Sequence, residues 1–344
     1  MRQHNDTTER HGDAGLRFTV REDSTLLKYL FELFPGEGKT SVKKKLSQGQ
    51  FLFNGKAETA FDAPLRRGDV ILMLPKGISI ARATRVNVKE AVEKEGVTIV
   101  YEDEHLLVAD KPSGLLTVST AKGSDAKTSK QEKTLYAILN KYVKVSASTA
   151  RKEDLISGRT PDRSLKKIWI VHRIDRGTSG LLVFAKDERT KELLQSRWKE
   201  LLIERTYTAY VEGIMENESG VVQSYLYENP KSLYVTSSDT ESAESKLAIT
   251  HYRCKGTVTL EKKYHYTKVE YSLTTGRKHQ IRVHSAELGH PIAGDGLYGA
   301  ETDPIRRVAL HAGTLVLRDP YSSAVIRCKS PLPTAFDRFE KKLK

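Results

Sequence analysis

Cysteine is scarce in this 344-residue chain: Cys254 and Cys328 are the only two, far apart and matching no metal-ligand spacing. A disulfide framework and a cysteine-ligated zinc site are both excluded, and a reducing cytoplasmic location is expected. Long apolar runs are missing too. Stretches such as VILML (70–74) and LLVFA (181–185) fall far short of the ~20 residues that cross a bilayer, so no membrane association is expected. The opening MRQHNDTTERHGDAG has no apolar core of the signal-peptide kind and too few apolar side chains to offset the entropy of ordering, so residues 1–16 are expected to form a disordered tail. The GxxxxGK[ST] phosphate loop is absent, which argues against ATP or GTP dependence. Acidic residues are in the minority, 44 Asp and Glu against 57 Lys and Arg, for a net charge of +13. Such a surface attracts polyanions, and nucleic acid is the leading partner.

The length suits about two domains. In the first, residues 17–80, TLLKYLFELF (25–34) places Leu26, Leu27, Leu30 and Phe34 on one helical face that stops at Pro35-Gly36. VKKKLSQ (42–48) reads as a second helix. QFLFNGKAE (50–58) reads as a hairpin turning at Asn54-Gly55, and LRRGDVILML (65–74) as a turn into a strand. Lys43, Lys44 and Lys45 form a basic cluster that, by itself, reads as a solvated helix face.

The second domain, residues 86–344, opens with two strands over 97–101 and 106–109 that flank Glu102-Asp103-Glu104 and break at Pro112-Ser113-Gly114. Residues 121–168 carry 12 Lys and Arg against 5 Asp and Glu. This stretch is expected to be a basic insertion, helical over 134–143 and mobile from 146 to 165, with charge suited to following a phosphate backbone. A single helix is expected over 187–202, with Leu194, Trp198, Leu201 and Leu202 on its buried face, which makes Trp198 a core residue.

The densest chemistry lies in VHRIDRGTSGLLVFAKD (171–187). Asp175 stands between Arg173 and Arg176 on a glycine-punctuated loop between two buried strands, the kind of loop that commonly carries a site. An Asp-Arg surface ion pair would produce the same spacing. His279, His284 and His290 invite a zinc reading. Their intervals of five and six residues do not gather them on a helix, and no metal is expected.

HRIDRGTSGLLVFAKD (172–187) resembles the signature of the RluA-like family of RNA pseudouridine synthases, with Ile174 where that family usually has leucine. Further segments follow in the family's order: DKPSGLLTV (110–118), RTYTAYVEG (205–213), LTTGRKHQIRVHSAELGHPIAGDGLYG (273–299) and LHAGTLVL (310–317). Residues 17–80 are similar to the αL RNA-binding module of a ribosomal small-subunit protein, though without an arginine near the start of the basic helix. The resemblance implies an α+β catalytic domain with a mixed, largely antiparallel sheet and a cleft, preceded by a small αL-type domain that contacts RNA through Lys43 to Lys45.

It also implies isomerisation of uridine to pseudouridine in structured RNA with no cofactor, and a monomer is expected. Large-subunit ribosomal RNA is the expected substrate and transfer RNA the alternative. Asp175 would be the catalytic carboxylate, Arg282 the cation that keeps it charged, and Tyr207 the ring against the flipped uracil. Arg173 would fill the vacated stack, and His172, Arg176, Arg277 and His279 would contact substrate. Two other classes stay open: a non-catalytic ribosome-assembly factor, and a metal-dependent nuclease.

Overall fold

The computed structural model describes residues 9–10, 16–47, 49–54, 56–58, 60–74, 88–119, 132–156, 167–232, 234–261 and 263–342. Backbone contacts divide the chain into two compact units, Met1–Glu95 with Asn140–Lys166, and Gly96–Leu139 with Lys167–Lys344.

The first unit packs α1 (Leu26–Leu33) and α2 (Lys39–Ser47) with an antiparallel sheet that contains β1 (Leu16–Thr19), β2 (Phe51–Phe53), β3 (Lys56–Ala57) and β4 (Val70–Met73). Leu26, Leu30, Val42 and Leu46 meet Phe51 and Ile71 in one apolar cluster, the contact that the helical periodicity anticipates. α2 begins three residues earlier than expected, at Lys39. Asn54 turns the hairpin at φ +46°. Its side chain also ties the hairpin to the neighbouring turn, accepting from the Val70 N–H at 2.8 Å and donating to Asp69 at 2.9 Å. Within the expected tail, Glu9–Arg10 pairs with Leu16 and Arg17, so those two residues are ordered as strand. Residues 1–8 and 11–15 lie outside the described residues.

The second unit is α+β. Its strands are β5 (Thr98–Glu102), β6 (Leu106–Lys111), β7 (Trp169–Ile170), β8 (Ser179–Ala185), β9 (Leu202–Glu212), β10 (Ser219–Glu228), β11 (Val235–Ser238), β12 (Lys246–Leu260), β13 (Tyr264–Leu273), β14 (Leu310–Arg318) and β15 (Val325–Lys329). They form one sheet ordered β11-β10-β12-β13-β9-β14-β8-β6-β5, with β7 beside β8 and β15 beside β14. The sheet is mixed: β8 runs parallel to β14 while the other pairings are antiparallel.

Every residue of β8 is buried, as expected for a central strand covered on both faces. Gly180 sits where β8 meets β14, at φ +115°, and a Cβ there would fall 2.2 Å from the Ala312 carbonyl oxygen. The second glycine of the 172–187 signature is therefore required by strand approach.

Two expectations need correction. The helix expected to end at residue 143 runs as α3 (Leu135–Ile156), because 144–156 contains no proline or glycine and supplies Ala, Arg, Lys, Glu and Leu, all good helix formers. The part of the expected insertion read as mobile is thus helical to Ile156, while 120–131 and 157–166 lie outside the described residues. The helix expected over 187–202 is broken at Arg197 (φ −108°, ψ 23°) into α4 (Glu188–Ser196) and the short α5 (Trp198–Leu201). Trp198 still packs against the buried cluster of Leu194 and Leu201, with its ring 5.2 Å from that of His172. Two further helices are α6 (Gln280–Glu287) and α7 (Thr334–Lys342).

Gly180→Ala should cost ~3 kcal/mol or more of stability, since a Cβ clash with backbone and a positive φ act together. Urea unfolding checks this, and an unchanged midpoint would mean that β8 and β14 can separate without penalty.

Candidate active site

A cavity of about 600 Å³ is lined by the loop before β8 (Val171 to Asp175), by Arg205 and Tyr207 of β9, and by the segment from Gly276 to Arg282 that leads into α6. The first and last of these, represented by Asp175 and Arg282, are brought together from positions more than a hundred residues apart in the sequence. The loop is braced from behind by the 110–118 segment. Lys111, fully buried, donates to the carbonyls of Pro112, Leu115 and Arg176 at 3.0, 2.7 and 3.2 Å. Thr117 Oγ1 donates to the Ile174 carbonyl at 2.9 Å and Ser113 Oγ to that of Gly177 at 2.7 Å. Burial pulls the Lys111 ammonium down to about 7, yet its carbonyl acceptors are those an ammonium needs. Arg307 holds the far end of the loop through Ser179 Oγ and the Leu310 carbonyl, at 2.9 and 2.7 Å.

Asp175 is one-quarter exposed in this cavity and faces two donors: Arg282 at 3.5 Å from Oδ2 and His279 at 3.9 Å from Oδ1. Arg282 makes its shorter bonds to Asp295, bidentate at 2.6 and 2.7 Å. Burial pulls the guanidinium down, and the hydrogen bonds and charge of Asp295 with the charge of Asp175 more than offset this, so Arg282 is raised and stays charged. Sequence reasoning names Arg282 as the partner of Asp175; the closer partner is Asp295. Nothing in the Gly-Asp-Gly of 294–296 flags that aspartate without knowing that Arg282 is buried and needs a counter-ion.

His279 caps α6 in the left-handed conformation, φ +54°. Its Nδ1 lies 2.7 Å from the Tyr298 hydroxyl, which itself accepts from the Val235 N–H at 3.3 Å. The phenol's one proton is then directed to Nδ1, and the Nε2–H faces Asp175. Burial holds His279 below its ordinary range, Arg282 adding to this and Asp175 opposing it, so the ring is neutral at pH 7.

Tyr207 lies on β9, where the pairing with β14 slips by one residue between Thr206 and Tyr207. The extra residue is Gly313 on β14, so β9 keeps its two-residue alternation through Tyr207. The Tyr207 phenol is buried and raised above its usual range, chiefly by burial, so it is neutral. His172 is held at about 3 by burial and then by the charge of Arg205, and its Nε2 accepts from the Val183 N–H at 3.2 Å.

The cavity thus brings together His172, Arg173, Asp175, Tyr207, Arg277, His279 and Arg282 of the expected set. Arg173 and Arg277 are exposed there. Arg176 is not among the lining residues; it points instead to the Gly114 carbonyl at 3.0 Å and to Glu132 at 3.0 Å. In the first unit Lys43 and Lys44 are exposed, whereas Lys45 pairs with Glu37. Beyond the expected set, Asp295, Tyr298, Lys111 and Arg205 contribute. The three histidines of the zinc reading each have separate partners: Tyr298 for His279, Ser224 and Thr250 for His284, and the Glu212 carbonyl for His290.

The sequence profile of the RNA pseudouridylate synthase family matches residues 105–287. A Bacillus subtilis protein named uncharacterized RNA pseudouridine synthase YlyB is 31% identical over 298 residues, 86% of each chain. Ribosomal large subunit pseudouridine synthase C of Rickettsia bellii is 30% identical over 325 residues, covering 92% of this chain and 96% of that one. Ribosomal large subunit pseudouridine synthase D of Xanthomonas campestris is 29% identical, covering 95% and 92%. Among solved structures, human RNA pseudouridylate synthase domain containing 4 shares the fold, with a TM-score of 0.51 at 21% identity over 75% of this chain and 96% of that one. The chain belongs to the RNA pseudouridine synthase family and is an isomerase.

Proposed function

We propose that Asp175 is the catalytic carboxylate, that the base isomerised is a uridine flipped into the cavity, and that the RNA is large-subunit ribosomal RNA. The observation that carries this reading is the carboxylate of Asp175 standing in the cavity, within 3.5 Å of a cation whose bidentate bonds are made to a different aspartate.

Isomerisation breaks the bond from N1 of uracil to C1′ of ribose, turns the base, and joins C5 to C1′. One proton leaves C5 and one is gained at N1, so nothing is oxidised or reduced. Attack on the base, attack on the sugar and elimination across the sugar all need one ionised carboxylate at the nucleotide. Asp175 is supplied with two donors that stabilise its charge, and neither is close enough to occupy its lone pairs fully. Extruding the base costs a few kcal/mol, and stacking on an aromatic ring returns ~1–3 kcal/mol. Tyr207 is the ring available for that contact, and exposed Arg173 is placed to fill the gap that the base leaves. The ribosomal substrate is supported by relatives of that name aligned over more than nine-tenths of this chain. It is supported also by the basic helix α2 of an αL-like first unit. Lys43 and Lys44 are the side chains there that contact RNA phosphates.

Tritium release from C5-labelled uracil tests the reading on unmodified large-subunit ribosomal RNA and on transfer RNA. Wild type should release tritium from the ribosomal RNA, and Asp175→Asn should release none while unfolding at the wild-type midpoint. Turnover by the folded variant removes Asp175 from catalysis, and preference for transfer RNA reassigns the substrate. Asp295→Asn should lower kcat roughly 100-fold with little change in KM, because Arg282 loses its anchor and Asp175 its placement; equal activity would mean that Arg282 is fixed by other contacts. Replacing Lys43 and Lys44 with alanine should reduce the salt slope of log K by about 1.4–1.8, as filter binding across a salt series would show. An unchanged slope would take α2 out of the RNA interface.

A further inference from the structure

Arg205 is a charged group in the cavity that the chemistry above leaves unused. It precedes Tyr207 by two residues on β9, so both project to the same side of the strand. It lines the cavity while only 9% exposed. No carboxylate among the described residues pairs with it, and its buried Nε–H has no acceptor. Its neighbours are the Tyr207 ring, 5.6 Å from the guanidinium carbon, and Gly276, where a Cβ would come within 3.2 Å of Nη2. Absence of a side chain at 276 therefore leaves the guanidinium its room. His172, close enough for the charge of Arg205 to oppose its protonation, is a second donor in the same condition. Its Nε2 accepts from Val183, so the neutral ring carries its proton on Nδ1, which is buried without an acceptor.

A guanidinium is always protonated, and a buried cation with no counter-ion is costly. Two donors with no acceptor between them call for a partner that only accepts and that carries negative charge. An RNA chain offers such a group at every linkage. We propose that Arg205 is the receptor for a backbone phosphate of the flipped nucleotide, holding the strand while the base lies against Tyr207. This rests on the cavity being the uridine site.

The test uses a synthetic stem-loop containing the modified uridine, once that position is mapped on unmodified large-subunit ribosomal RNA, with single methylphosphonates at the linkages around it. Arg205→Met should lower kcat/KM about 10- to 100-fold and reduce the salt slope by about 0.7, the value for one single-strand phosphate. At one linkage the methylphosphonate should cost wild type the same factor and cost the variant nothing further. Arg205→Lys, which keeps the charge, should retain the slope and the sensitivity to that methylphosphonate, separating lost charge from lost fold. Costs that multiply at every linkage, or a slope that Arg205→Met leaves unchanged, would overturn the proposal and point to a contact with uracil itself. An inactive wild type, or an active Asp175→Asn, would sink the underlying reading and this inference with it. With wild type active and Asp175→Asn inactive, the linkage data bear on Arg205 alone.

Discussion

Arg282 is the cation on which the cavity depends. It is nearly buried, so its charge must be met, and the side chain that meets it is Asp295, through the two-bond fork that a guanidinium makes with a carboxylate. Had Asp175 been the forked partner, its lone pairs would be committed and its oxygens held in the wall. With Asp295 in that role, Arg282 lends its field to Asp175 from 3.5 Å and leaves the Asp175 oxygens free for the role proposed for them. The arrangement requires Arg282 to be held independently of substrate, and α6 is built for that. Gln280 binds the Thr275 hydroxyl, the Arg277 N–H, the Ile249 carbonyl and Thr250. His284, one turn on, binds Ser224 and Thr250, so the helix is pinned by polar contacts to the strands beneath it.

The same logic governs the opposite wall. A loop that must present one carboxylate cannot bury it in regular structure, and its backbone groups still need partners. The 110–118 segment supplies them. Lys111 gathers three carbonyls from two segments, and Thr117 and Ser113 take two more from the Asp175 loop itself. Ile174 turns inward to the cluster around Tyr207 and Tyr271. Apolar bulk at 174 thus sets which way the adjacent Asp175 faces.

Much of this was legible from residues alone, for identifiable reasons. Periodicity located α1, the all-apolar run located β8, and Asn54-Gly55 located a turn, because each is decided by neighbours in sequence. Asp175, Tyr207 and Arg282 came from resemblance rather than from pattern. An arginine more than a hundred residues from its aspartate leaves no local trace. Asp295 escaped because a lone aspartate between glycines reads as a turn, and its role exists only in relation to a buried guanidinium. Arg176 misled for the mirror reason: adjacency to Asp175 suggested the cavity, whereas side chains one apart on an extended loop point apart, and Arg176 turns to Gly114 and Glu132. Lys45 likewise shares a helix with Lys43 and Lys44 but not their exposure, since one residue of helix rotation carries it toward Glu37.

The polar groups lining the cavity divide by what they lack. Asp175 has donors facing it, Arg282 is bonded to Asp295, and His279 and Tyr298 share a hydrogen bond. Across the cavity, Arg205 and His172 present donors with nothing to receive them. Isomerisation conserves charge, so the chemistry itself creates no lasting need for an extra cation. An unmatched guanidinium is then accounted for by binding and not by the bond changes. On the proposed reading, Asp175 and its donors serve the reacting base and sugar, while Arg205 holds a part of the substrate that does not react.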